Sequence, residues 1–282
     1  MNRIKKMKPG WLMLRTLSLF VFIYLIYAFL LEFIVEITNL SLNGIWQLIL
    51  EQLKALLILL VTYFSLKKLH VFTLADIGFS TTGRAKEMAG GFLTALLLFG
   101  TGFAVSWAAG WIHVETVQGP WASLLTTWIL FFLVAVYEEA LVRGIILGHM
   151  LHQGISRFTA LLLSAVLFSC LHLFNPNFSW LPFINLILAG ILLGASYIYT
   201  HNLWFPIFLH WFWNWLQGPV LGYGVSGMKL GESAITLSYS GPEMLSGKDF
   251  GFEGTILCTI LMIITTIFIL RFFKAKSTTR LK

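Results

Sequence analysis

Glu138 and Glu139 interrupt an otherwise apolar run, LFFLVAVYEEALVRGIILGHM, and Arg143 follows one turn later. An ionisable group at mid-depth in a bilayer costs roughly 2.5–3.5 kcal/mol or more, so such a group needs a partner or a chemical task. At about 100° per residue, Glu139 and Arg143 fall within about 40° of each other on a helix face, while Glu138 lies about 100° further round. The spacing predicts a Glu139–Arg143 ion pair and leaves Glu138 without a local counter-charge. Two more apolar runs carry polar groups: FSCLH, with Phe168 and His172, and HWFWN, with His210 and Asn214. Each pair stands at i and i+4, on one helix face. A carboxylate in an apolar cavity can serve as general base towards water, and desolvated donors stabilise a tetrahedral oxyanion strongly.

Such groups meet only if the segments that carry them cross the same layer. The chain has 282 residues, 58% hydrophobic and 11% charged, with 25 Phe and 11 Trp. A soluble domain carries about 25% charged residues, so this composition excludes a soluble fold, and 2 Cys with 7 Pro exclude a disulfide scaffold or a collagenous chain. A polytopic, all-α membrane protein remains. Cys170 and Cys258 lie inside apolar runs, far from metal or redox spacing, and read as two small buried side chains. Runs of about 20 apolar residues, the length a crossing helix needs, occur near Thr16–Glu36, Leu48–Leu66, Met88–Ile112, Ala122–Leu147, Phe158–Leu173, Leu181–Thr200, Leu203–Val220 and Gly254–Phe273. About eight transmembrane helices are therefore expected. MNRIKKMK has the charge of a signal-peptide leader, but the long apolar run after it has no small-x-small cleavage site and reads as the first span.

The basic residues orient these spans. Arg3, Lys5, Lys6, Lys8, Arg15, Lys67, Lys68, Arg84, Lys86, Arg157, Arg271, Lys274, Lys276, Arg280 and Lys282 all fall on one side of an eight-span arrangement. Segments 37–47, 113–121 and 174–180 have no Lys or Arg, and 221–253 has only Lys229 and Lys248 beside four acids. The positive-inside rule then places both termini in the cytoplasm and makes 221–253 an extracytoplasmic loop. Residues 1–282 read as one membrane domain in a plasma membrane. The segment Leu74–Lys86 reads as a polar connector, surface helix or turn, and His149 and His152 as interfacial anchors; His70, His113 and His201 read as loop or interface residues. Net charge +7 belongs to this topology rather than to nucleic acid. Counted along each helix, Glu138, His172 and Asn214 lie roughly 20 Å from their own cytoplasmic starts, with His210 one turn lower, so the polar groups share one layer.

In these residues the sequence resembles the CPBP family of intramembrane proteases, which includes the type II CAAX prenyl endopeptidases and bacteriocin-processing and immunity proteins. The family's motifs EExxxR, FxxxH and HxxxN stand here as Glu138-Glu139-Ala-Leu-Val-Arg143, Phe168-Ser-Cys-Leu-His172 and His210-Trp-Phe-Trp-Asn214. The resemblance covers residues 122–217, the expected catalytic core, and GPEMLSGKDFGFEG is also similar to bacterial members. It implies a conical helical bundle enclosing a polar cavity, with Glu138 acting with His172 on a water and His210 and Asn214 steadying the oxyanion. Glu139 and Arg143 would fix the helix geometry. The substrates implied are lipidated or hydrophobic membrane-associated peptides, with no nucleic acid partner.

No HExxH motif is present. Two His and a Glu could still hold a zinc ion with one position left for water, or the Glu and His could activate water directly; the lack of a compact ligand motif favours the second. Two other functions stay open. Mid-membrane Glu and His also mark proton relays of transporters, although no two-half symmetry is visible. A non-catalytic immunity or scaffold protein could keep the same fold.

Overall fold

The computed structural model describes residues 9–38, 42, 44–68 and 77–279. Arg3, Lys5, Lys6, Lys8, His70, Arg280, Lys282, residues 74–76 and part of the 37–47 connection lie outside them. Without water to bond the backbone, apolar runs must close their hydrogen bonds internally and become helices. α1 (Pro9–Thr38), α2 (Ile45–Lys68) and α3 (Ala85–Ala108) come first, followed by strand β1 (Ile112–Val117). α4 (Trp121–Glu139) runs through a π-helical stretch (Ala140–Leu147) into α5 (Gly148–His152). Then follow α6 (Arg157–Cys170), α7 (Trp180–Thr200) and α8 (Trp204–Trp215), the last with a π-helical extension (Leu216–Val220). β2 (Ile235–Tyr239), the short α9 (Glu243–Ser246) and α10 (Ile256–Thr279) complete the chain.

Among the described residues, five helices are long and apolar enough to cross a membrane: α1, α2, α3, α7 and α10. Of the other expected spans, α6 is a shorter apolar helix, and α4 and α8 pass into π-helical turns before their apolar runs end. The outward surface is itself apolar, with Phe22 63%, Leu97 68% and Phe268 65% exposed. Such a surface is satisfied by lipid and not by water. The protein is a helical integral membrane protein.

Several local expectations are corrected. The third span ends at Ala108 rather than Ile112, because Ile112 opens β1. β1 pairs antiparallel with β2, Ile112 opposite Tyr239 and Val117 opposite Ile235, with a register shift between Val114 and Thr116. His113 therefore sits on a strand, and segment 221–253 is partly ordered as a ribbon. His149 is buried rather than interfacial. Cys170 is half-buried, and both cysteines are free thiols.

Side-chain contacts define the two ends of the bundle. At one end, the start of α3 meets the end of α10 through Glu87, which pairs with Arg84 at 2.8 Å and Lys276 at 3.5 Å. The described part of the expected connector packs against the α7–α8 turn: the Gly78 carbonyl accepts from Leu203 N and the Ser80 carbonyl from Asn202 Nδ2. Ser156 caps α6 by accepting from Thr159 N, and Arg157 lies over the Tyr199 ring at 5.5 Å. His201 ends α7 in the left-handed region, φ 47°, and burial, followed by the Arg157 guanidinium, lowers its pKa below the ordinary value. This is the basic end. At the other end Ser123 Oγ, at the start of α4, donates to Glu232 O. Asn175, beyond α6, reaches Ser226 O, and Asn185 of α7 donates to Glu253 O at 2.6 Å. Segment 221–253 thus closes that end.

Between the ends, backbone approach is set by small residues. A Cβ on Gly190 would lie 2.7 Å from Ala165 Cα, so glycine lets α7 touch α6. At Gly91 of α3 it would meet Phe205 O of α8 at 2.4 Å.

Candidate active site

The π-helical stretch begins directly after Glu139 and carries Arg143. Such stretches are rare and frequently mark functional sites. Arg143 and Glu139 are both fully buried, and Arg143 Nη1 donates to Glu139 Oε1 at 2.7 Å. Arg143 Nη2 donates to the Gly190 carbonyl at 3.2 Å, and the guanidinium lies 4.5 Å from the Phe168 ring centroid. Two buried charges removed from water need such extra partners to be tolerated.

Glu139 Oε1 accepts a second bond, from His210 Nδ1 at 2.8 Å. This links α4 to α8 and fixes the His210 ring: with its proton on Nδ1, the ring has Nε2 free for chemistry. That nitrogen lies 3.8 Å from Glu138 Oε2, too far for a direct hydrogen bond. Glu138 Oε2 is itself buried and has no hydrogen-bond partner among the described residues.

Glu138, His172, His210 and Asn214 line one cavity of about 180 Å³, room for several water molecules. His172 stands one residue past the helical C-cap, in the turn leaving α6, rather than inside a helix as its i,i+4 spacing suggested. Its Nδ1 donates to Phe168 O at 2.8 Å, and its ring lies 4.8 Å from the Phe168 ring. Phe168 also meets His210 edge to face at 6.0 Å. One aromatic ring therefore supports Arg143, His172 and His210 together. Glu138 approaches His210, and not His172, within ion-pair distance.

Residues absent from the sequence motifs complete the wall. Glu253 is buried, with Oε1 accepting from Trp213 Nε1 at 2.6 Å and Oε2 from Ser226 N and Oγ, each at 2.9 Å. Ser226 holds φ 47°, a strained conformation for a non-glycine residue. The sequence signal for this corner was GPEMLSGKDFGFEG, but an acid beside a span end gave no hint of burial. A second missed contact ties α1 to α2, where Lys54 Nζ donates to Glu32 and Glu51, both at 2.7 Å.

The chemical content is a carboxylate oxygen and an imidazole nitrogen 3.8 Å apart beside a cavity of about 180 Å³, with a second imidazole and an amide lining the same cavity. Among the described residues no three His, Cys, Asp or Glu side chains converge as a metal-ligand group. No curated protein and no solved structure matches the chain. Residues 120–216, which contain all six expected site residues, match the family described as Rce1-like: type II CAAX prenyl endopeptidase Rce1-like. The similarity to the CPBP family of membrane proteases thus rests on this segment, about a third of the chain.

Proposed function

We propose that the protein is an intramembrane endopeptidase that hydrolyses peptide bonds in lipidated or hydrophobic membrane-associated substrates, using a water activated by Glu138. The observation that carries this reading is the unpartnered Glu138 Oε2 beside His210 Nε2, 3.8 Å apart, with both residues lining the cavity of about 180 Å³. A water to one side of the pair can lie about 2.8 Å from both atoms. Glu138 takes a proton from that water as its oxygen attacks the scissile carbonyl. The carbonyl oxygen gains the negative charge, and the Asn214 amide supplies an N–H donor on the same wall, while His172 and His210, whose Nδ1 protons are already donated, can add one only as imidazolium. As the C–N bond breaks, the proton held by Glu138 passes to the leaving amine. Glu139 and Arg143 hold His210 in place and take no part in the proton transfer. Residues 122–217 are the catalytic core of this reading, in a plasma membrane with both termini cytoplasmic.

The test is cleavage of a hydrophobic reporter peptide by purified protein in liposomes, comparing wild type with Glu138→Gln, with and without a strong chelator. Turnover in the wild type and its loss in Glu138→Gln support the assignment, and full activity of Glu138→Gln defeats it. Activity lost on chelation and restored by zinc would place an ion among Glu138, His172 and His210.

A further inference from the structure

The cavity reaches from mid-helix residues of α4 and α7, such as Val134, Ala189 and Leu193, to the ends of elements that lie away from the basic residues: Leu48 and Gln52 near the start of α2, His172 and Asn175 beyond α6, Asn214 near the end of α8, and Val225, Ser226, Met228 and Leu230 of the closing segment. Towards the basic end the cavity is sealed. Ile145, Leu147, Tyr197, Ile198, Leu203 and Ile207 are buried there and pack with Ile77 into one apolar cluster. Arg143, two residues before Ile145, is fully buried.

On the other side the cavity adjoins a second space. Leu48 and Leu230 stand between the cavity and an open groove of about 780 Å³ at the starts of α2 and α4, each lining both. Trp46 and Thr126 form the outer part of this groove, and Trp46 is more than half exposed. Its flank on α2 is apolar and turned to lipid, with Leu48, Leu53 and Leu57 exposed. The acids Glu115, Glu232, Glu243 and Asp249 lie at this end, while Arg84, Lys86, Arg157, Arg271, Lys274 and Lys276 lie at the opposite one.

We infer that the site takes its substrate from the membrane face opposite the basic end: an apolar, membrane-anchored peptide segment that enters sideways between α2 and α4 and is cut on the extracytoplasmic side. This deepens the protease reading and rests on it; the side also rests on the positive-inside rule, which assigns the Lys/Arg-rich end to the cytoplasm. A soluble cytoplasmic chain end has no path to Glu138 past the Ile145–Tyr197–Leu203 plug. The substrate class is therefore a translocated or membrane-spanning peptide whose scissile bond lies near the outer headgroup layer, where an extended segment can leave the bilayer and reach the cavity.

Two readouts test this. In a background with Cys170→Ser and Cys258→Ser, single cysteines Thr126→Cys or Trp46→Cys in the groove and Lys86→Cys at the basic end are exposed to a membrane-impermeant maleimide. Labelling is done in right-side-out and in inverted membrane vesicles. The groove cysteines should label only in right-side-out vesicles and Lys86→Cys only in inverted ones; groove labelling from the same face as Lys86→Cys overturns the inference. In parallel, reporters with one transmembrane anchor present the same cleavable apolar segment on either face of vesicles holding the full-length protein. Wild type should cut only the reporter on the face opposite Lys86, and Glu138→Gln should cut neither. Cleavage only on the Lys86 face overturns the inference. Cleavage of neither reporter by wild type removes the protease reading, and the maleimide pattern then still decides from which face the cavity is reached.

Discussion

Glu139 Oε1 and His210 Nδ1 are 2.8 Å apart, although 71 positions separate the two residues in the chain. The same oxygen takes Arg143 Nη1 at 2.7 Å. Adjacent glutamates thus differ by geometry: Glu139 accepts two bonds through Oε1 while its Oε2, like Glu138 Oε2, is buried without a hydrogen-bond partner among the described residues, and of the two only Glu138 lines the cavity.

Replacing Glu139, which accepts from both Arg143 and His210, should damage the fold first. In Glu139→Gln a neutral amide oxygen still accepts one bond, but Arg143 keeps its charge in a fully buried setting. Breaking a buried pair by removing one partner costs about 3–5 kcal/mol. Lower yield and a clearly lower Tm in detergent are expected, together with lost activity because His210 is no longer held. A wild-type Tm for Glu139→Gln would refute this division.

Glu138→Gln should show the opposite pattern. Glu138 Oε2 makes no hydrogen bond among the described residues, so exchanging it for an amide removes no stabilising contact. Tm should stay at the wild-type value while hydrolysis drops by about 10²–10⁴, the usual worth of a general base. Thermal melts and reporter turnover on the same preparations separate the two glutamates.

Phe168 gives a third test. Its ring carries the Arg143 guanidinium at 4.5 Å and touches both imidazoles. Phe168→Leu keeps an apolar side chain but removes the ring face, and a desolvated cation–π contact is worth about 2 kcal/mol. Stability should fall by about that amount and turnover with it. Phe168→Tyr, which retains the ring, should lose less of both; equal losses in the two variants would show that the ring face does not matter.

The difference between legible and illegible parts follows from how local each feature is. The Glu139–Arg143 pair was readable because helical periodicity fixes neighbours four residues apart. It held even across a π-helical stretch that no periodicity announced. The common layer of Glu138, His172, His210 and Asn214 was readable because helix rise converts residue counts into depth. Which groups would face one another was not, since that depends on helix rotation: Glu138 approaches His210, whereas the family resemblance paired it with His172. The Trp213–Glu253–Ser226 corner joins residues 27 to 40 positions apart through a loop, and the β1–β2 ribbon joins segments more than 100 apart. No short-range pattern encodes either contact.

That corner supports the last prediction. Glu253 accepts from Trp213 Nε1 through one oxygen and from Ser226 N and Oγ through the other. Each hydrogen-bond partner of this carboxylate among the described residues is a donor. Glu253→Gln must therefore turn an NH2 group towards either the indole N–H or the Ser226 pair, and no rotamer satisfies both sides. Hydrogen bonds to a charged group are worth about 1.5–3 kcal/mol each, and here they also hold Ser226 at φ 47°. Releasing them should let the segment around 224–230 relax from the cavity wall it forms with Asn175. Hydrogen exchange of the amides in that segment should rise strongly in Glu253→Gln, with turnover falling while the α4–α8 link at Glu139–His210 stays protected. Ser226→Ala removes only the hydroxyl bond and keeps the backbone N–H bond, so its exchange and turnover should lie between wild type and Glu253→Gln. If Glu253→Gln exchanges like wild type across 224–230, the carboxylate does not hold the loop, and the outer wall of the cavity is fixed by the Asn175 and Asn185 contacts alone.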